Sequence, residues 1–259
     1  MTGNLIVFLF GLVIGSFLNV CIHRLPKNRS VISPPSHCPN CKTNIRWHDN
    51  IPVLSYILLG GKCRFCKSPI SPRYPLVEIL TAVIITLFFA VFGISARFFA
   101  YSLMGCGLII ATFVDFEINE IPDQVSIGGL IAGIIFSTAF PSLTGASAWP
   151  QGLLNSVIGM LAGGGSIYLM GLLGELVFKR EAMGGGDVKL MAMIGAFLGW
   201  RLALMTFFIA PLFGAVIGVI MRMRDGREII PYGPYLSLAA LISVFFGERI
   251  LNILCYGFF

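Results

Sequence analysis

Asp115 lies in "ATFVDFEINEIPD" at the close of one apolar run, and Asp187 follows Gly184, Gly185 and Gly186 at the opening of another. A charged side chain at the bilayer centre costs about 2.5–3.5 kcal/mol on insertion scales, so each acid carried by an apolar run is a functional candidate. Two carboxyl groups that face one another share one proton. The ionised member takes a proton from water while its neighbour donates to a carbonyl oxygen. That is hydrolysis of a peptide bond by an acid pair, and it needs one carboxyl from each of two facing elements. The glycines before Asp187 leave room for a substrate backbone and allow the chain to turn into a helix. The competing reading is structural: Asp187 caps a helix, or pairs with Lys189 two residues on.

A second group of residues points to a metal. Cys38 and Cys41 form "CPNC", Cys63 and Cys66 form "CRFC", and 21 residues separate the pairs. Two such pairs, as in a zinc ribbon, hold four thiolates tetrahedrally about Zn²⁺ and leave no open position, which predicts a structural ion. The alternative is a redox dithiol. The segment is too short to fold well on its own core, and metal binding supplies on the order of 10 kcal/mol to such modules. His37 and His48 are expected at its surface. Cys21, Cys106 and Cys255 lie in apolar runs, where cysteine behaves as a small buried hydrophobe.

The elements that must position these groups are helices in a membrane. Hydrophobic residues make up 56% of the 259 and charged residues 12%, far from the balance of a soluble domain. Since a crossing helix needs roughly 20 apolar residues, the runs at 4–22, 76–95, 97–116, 125–141, 153–178, 188–200, 202–221 and 235–255 predict an all-α polytopic membrane protein. It has about eight transmembrane helices, the sixth short, and a small zinc-binding cytoplasmic insert. The expected organisation is a first transmembrane helix at 1–22, an insert at 23–74 rich in Pro, Lys, Arg and Ser, and a core of about seven helices at 75–259. The spacing of Gly159 and Gly163 fits close helix packing.

The net charge of +6 does not indicate nucleic acid, because the charges segregate. Nine Lys or Arg fall between Arg24 and Arg73; Lys179, Arg180, Lys189, Arg222, Arg224 and Arg227 share that side in the eight-span reading, and only Arg97, Arg201 and Arg249 fall opposite. By the positive-inside bias the crowded side is cytoplasmic and the N-terminus periplasmic. Both aspartates then lie at the cytoplasmic edge. The first run is followed, not preceded, by basic residues, so it reads as an anchor and not as a cleaved signal peptide; "LNVC" at Leu18–Cys21 lacks the features of a lipoprotein site.

Beyond these features the chain resembles the type IV prepilin peptidases, bifunctional leader peptidases and N-methyltransferases of the GxGD aspartic protease family. The resemblance runs through "GSFLNVCIHRLP" (15–26), the cysteine pairs, "SPRYPLVEILTA" (71–82), "VDFEINEIPD" (114–123), "GGGDVKL" (184–190) and "IIPYGPYLSLA" (229–239). It implies that Asp115 and Asp187 are catalytic, with Gly184, Gly185, Gly186 and Lys189 supporting their loop. It also implies removal of a short basic leader from type IV prepilins or pseudopilins at the cytoplasmic face of the bacterial inner membrane. The new amino group, typically of phenylalanine, is then methylated using S-adenosyl-L-methionine. Phe116, Glu117, Asn119 and Glu120 depart slightly from the family pattern.

Glu117, Glu120 and Asp123 form an acidic cluster that could attract the leader's Lys and Arg, against the plain reading of a solvated loop. Pro231, Gly233 and Pro234 open the last span, as a helix start or as a wall of the cleft. No GxGxxG fingerprint is present, so the methyl-donor site is expected between the insert and the first two spans, with Asn19, Arg24, Arg73 and Glu78 as candidate contacts. Glu78 could instead be a helix N-terminal charge. The expected partners are the prepilin substrates and the lipid bilayer, with no nucleic acid. The competing function is an ion- or proton-coupled membrane transporter using intramembrane acids.

Overall fold

The structure, a computed structural model, describes residues 2–179, 183–225 and 231–256. Arg180, Arg227 and the first two residues of the "IIPYGP" motif lie outside the described residues, as do the side chains of Arg222, Arg224 and Cys255. Eight α-helices follow in order: α1 Thr2–Arg24, the short α2 Leu54–Leu58, α3 Arg73–Phe92, α4 Ala96–Ile118, α5 Asp123–Ala139, α6 Trp149–Phe178, α7 Gly185–Asp225 and α8 Gly233–Tyr256. No strand occurs among the described residues, only isolated bridges in the insert. Each of the eight apolar runs falls on a helix. Six elements are long and apolar enough to cross a membrane, while α5, with 17 residues, is shorter. The sixth and seventh runs are joined in α7 through Gly199, whose φ of 75° and ψ of 171° break the helix. Only glycine adopts that conformation readily.

The chain divides into two compact units, Met1–Ile110 and Ala111–Phe259. In the first, α1 and α3 run antiparallel with their backbones in contact: a Cβ on Gly15 would lie 2.6 Å from Glu78 Cα, and one on Gly11 equally close to Ala82 Cα. Small residues permit such approach where lipid supplies no hydrophobic drive. Phe88, Phe92 and Tyr101 stack between α3 and α4. The insert, between α1 and α3, is almost without regular structure apart from α2 and two 3₁₀ turns.

In the second unit the contacts fix the direction of every helix. Gly129 and Gly133 of α5 face Met193 and Phe197 of α7, while Gly159 and Gly163 of α6 face Gly195 and Met191, so α6 is antiparallel to both. Beyond Gly199 the chain runs back, because Thr206 Oγ1 bonds Ser243 Oγ at 2.8 Å and Gly214 lies beside Tyr235. The short sixth run therefore reverses as the orientation reading requires. The starts of α5, α7 and α8 and the end of α4 gather at one end of this unit. Lys179 and Lys189 share that end, and Arg201 and Arg249 sit at the other.

Candidate active site and metal centre

Asp115 sits in the last turn of α4, 5% exposed. The helix ends at Ile118, because Asn119 takes a left-handed φ of 53° and returns its N–H to the Asp115 carbonyl at 2.9 Å, a C-terminal stop that asparagine tolerates. Gly233, the first residue of α8, donates its N–H to Asp115 Oδ2 at 2.8 Å. A Cβ on Gly233 would lie 2.8 Å from that same oxygen. Glycine is thus the side chain that lets the amide reach the carboxyl.

Asp187 occupies the first turn of α7. Its own N–H bonds the Gly184 carbonyl at 3.1 Å, and the Gly184 N–H in return bonds its carboxylate. This reciprocal pair is the backbone version of a capping box. Capping and chemistry are therefore compatible here, since one carboxyl group can cap through one oxygen and present the other. Ile121 lies between the starts of α7 and α8. It meets the position of a Cβ on Gly186 at 3.1 Å and of one on Gly233 at 3.3 Å. The "IP" step of the α4–α5 connection is thus a wedge against the start of α7, which carries Asp187, and the start of α8, whose Gly233 amide holds Asp115.

The remaining candidates in this unit divide. Gly185 has open space where a side chain would be, and Gly184 is exposed. Lys189 does not touch Asp187; its Nζ pairs with Asp123 Oδ1 at 2.6 Å and ties the start of α7 to the start of α5. Both partners are exposed, so the pair is worth about 0–1 kcal/mol. Glu117, in the last turn of α4, and Glu120, in the α4–α5 connection, are exposed. Sequence reasoning missed the Gly233 amide and Ile121. The small residue between two prolines-rich positions, "PYGP", was the available signal for the first.

In the first unit the two cysteine loops are copies of one another. Cys38 N–H bonds the Thr43 carbonyl and Lys42 N–H bonds that of Cys38; Cys63 N–H bonds the Ser68 carbonyl and Lys67 N–H bonds that of Cys63. Lys42 and Lys67 share a left-handed φ of 60° and 58°, and the bridges His37–Asn44 and Lys62–Pro69 close both turns at the same register. The four sulfurs lie within 4.8 Å of one another. Cys38 Sγ and Cys66 Sγ are 3.8 Å apart, and a tetrahedral ion with Zn–S bonds of about 2.3 Å sets its sulfurs about 3.8 Å apart. The Ser68 hydroxyl, 3.0 Å from Cys66 Sγ, pulls the Cys66 thiol down to about 6. The backbone N–H of Cys41 lowers that of Cys38. Thiolates are the form a metal takes. Arg64, from the second loop, clamps Asp49 with both Nε and Nη2.

A cavity of about 540 Å³ lies between the end of α1, the insert and the start of α3, lined by Asn19, Arg24, Val53, Tyr74 and Glu78 among others. Three of the four methyl-donor candidates meet there; Arg73 does not line it and instead stacks on the Tyr74 ring. Arg24 is occupied in part, its Nη1 and Nη2 bonding the Ser30 and Pro34 carbonyls at 2.9 and 2.6 Å and so anchoring the insert. Asn19 Nδ2 bonds the Tyr74 carbonyl at 3.0 Å. Glu78 Oε2 accepts the Val53 N–H at 2.7 Å.

Comparison with known proteins gives this arrangement its context. Residues 102–219 match the Type IV leader peptidase family, and residues 9–92 match the Bacterial Peptidase A24 N-terminal domain. A Myxococcus xanthus protein named prepilin leader peptidase/N-methyltransferase is 40% identical over 224 residues, covering 85% of this chain and 64% of its own length. Proteins of the same name from Pseudomonas aeruginosa and Aeromonas hydrophila are 36% and 35% identical, each alignment covering 95% of this chain and 91% of the relative. No solved structure matches the chain.

Proposed function

The chain belongs to the type IV leader peptidase family, and on that premise we propose that Asp115 and Asp187 are the acid pair that cuts the leader from a prepilin or pseudopilin. One carboxyl, ionised, takes a proton from water as the oxygen attacks the scissile carbonyl carbon. The other, protonated, donates to the carbonyl oxygen; collapse of the tetrahedral species breaks the C–N bond and the amine leaves with a proton. The Gly233 amide fixes Asp115, the Gly184 amide fixes Asp187, and neither carboxyl has to search for its place. The observation that carries this reading is the convergence of Gly233 on Asp115, and of Gly186 and Gly233 on the same Ile121 side chain.

The pilin helix enters laterally among the spans while its leader stays at the basic, cytoplasmic end, with the N-terminus of the enzyme periplasmic and the protein in the inner membrane. The acidic cluster of Glu117, Glu120 and Asp123, exposed at this end, attracts the leader's basic residues. Residues 1–22 anchor, 23–74 form the zinc-binding insert used in methylation, and 75–259 form the peptidase core.

Zn²⁺ fits the four thiolates of Cys38, Cys41, Cys63 and Cys66 and joins the two cysteine loops. S-adenosyl-L-methionine fits the cavity above the α1–α3 pair, whose volume lies within the usual range of about 300–1,000 Å³ for such ligands. When bound, it supplies the methyl group for the new N-terminus. Arg24 holds the insert as the wall of that cavity, and Asn19 and Glu78 line it from α1 and α3. The test is to incubate the purified full chain with a prepilin, comparing wild type with Asp115→Ala and Asp187→Ala, and to measure cleavage and N-methylation separately. Both variants are expected to lose cleavage and to methylate a pre-cut pilin peptide normally. Wild-type cleavage by either would remove the assignment.

A further inference from the structure

Two buried side chains that line the cavity carry acceptor capacity with no cation beside it. Asn19 is 3% exposed, and its Oδ1 has no hydrogen-bond partner among the described residues although its Nδ2 is engaged. Glu78, 7% exposed, faces α1 across the Gly15 contact. Its partners are the Val53 N–H and the Ser16 hydroxyl, and no cationic side chain pairs with it among the described residues. A buried acceptor left unpaired costs about 1–3 kcal/mol, and a buried charge more. The chain even holds Val53, a β-branched residue, at a φ of 59° to deliver its N–H to Glu78, a conformation disfavoured for that side-chain class. One carboxyl orientation is thereby fixed, and a cation that also donates N–H bonds would complete the pair.

We infer that Asn19 Oδ1 and Glu78 bind a primary ammonium group, and that this group is the new N-terminal amine of the cleaved pilin. The inference rests on the reading that the cavity serves methyl transfer. It assigns these two residues to the methyl acceptor, not to the donor. A sulfonium carries charge but no N–H, so it would leave Asn19 Oδ1 unpaired; an ammonium satisfies both acceptors at once. The amino-acid end of S-adenosyl-L-methionine carries an ammonium too, and the experiment separates the two sources.

The probe is a synthetic peptide with a free N-terminal phenylalanine, compared with its N-acetylated form, titrated against the detergent-solubilised full chain with zinc present. Wild type is expected to bind the free amine at least about tenfold more tightly than the acetylated peptide, as a charge-assisted hydrogen bond implies. Glu78→Gln, which retains an acceptor for Val53, is expected to abolish that preference, to leave S-adenosyl-L-methionine affinity unchanged and to leave prepilin cleavage unchanged. Equal binding of the two peptides by wild type would overturn the inference without use of any variant. So would a Glu78→Gln enzyme that keeps the preference, or one that loses cofactor affinity while keeping peptide affinity. If wild type binds the amine selectively but binds no S-adenosyl-L-methionine, the cofactor reading fails while the amine site stands.

Discussion

In residues 111–259 the two carboxyls proposed to be catalytic sit at the ends of long helices and are met by backbone amides, Gly233 for Asp115 and Gly184 for Asp187. In residues 1–110 the four thiols sit in loops with almost no regular structure around them, held by two matching turns and by the sulfurs' common centre. The first arrangement draws its order from helix packing, so a single atom added at a contact displaces the site. The second, with zinc as proposed, would draw it from ligation, so its geometry would depend on the ion and tolerate change elsewhere.

That contrast can be broken from the metal side first. Chelation of zinc, or Cys38→Ser with Cys66→Ser, is expected to abolish N-methylation and to open the insert to protease, since structural zinc contributes about 10 kcal/mol or more to such modules. Cleavage should stay within about threefold of wild type, as for sites with no shared partners; elemental analysis would show one zinc lost per chain. A loss of cleavage in parallel would mean that the two sites are not independently built.

The packing side is tested by Gly233→Ala. The added methyl meets Asp115 Oδ2 at 2.8 Å and should lower kcat for cleavage about a hundredfold, the scale of a misplacement near 1 Å, with methylation of pre-cut peptide unaffected. Smaller again is Glu117→Lys with Glu120→Lys, expected to raise KM for a basic leader about tenfold, with the effect shrinking as salt is added. Smallest is Lys189→Met, which removes an exposed pair with Asp123 and should change cleavage by no more than about threefold.

The helices were legible because apolar runs of the right length have few other structures open to them in lipid. The cysteine loops were legible because CxxC pairs carry both ligand and spacing. Asp115 and Asp187 stood out because acids are rare in such runs. What the sequence did not reveal was which backbone groups meet them. Gly233 is 118 positions from Asp115 along the chain, and a donor that belongs to the main chain leaves no mark in side-chain chemistry. Lys189 shows the converse. Its nearness in sequence to Asp187 suggested a pair with that acid, but in the first turn of a helix a residue two positions away points to a different face, and it reaches Asp123 instead. Arg73, beside the cavity in sequence, stacks on the ring of Tyr74, which lines it.

The most direct test of the shared acid pair is a double-mutant comparison of prepilin cleavage by the purified enzyme: wild type, Asp115→Asn, Asp187→Asn and both together. Groups that act as a unit are not additive, so each single variant should lose about a thousandfold or more in kcat/KM and the double variant should lose no more than either. Cleavage by either single variant within about tenfold of wild type, or losses that multiply in the double variant, would contradict the account.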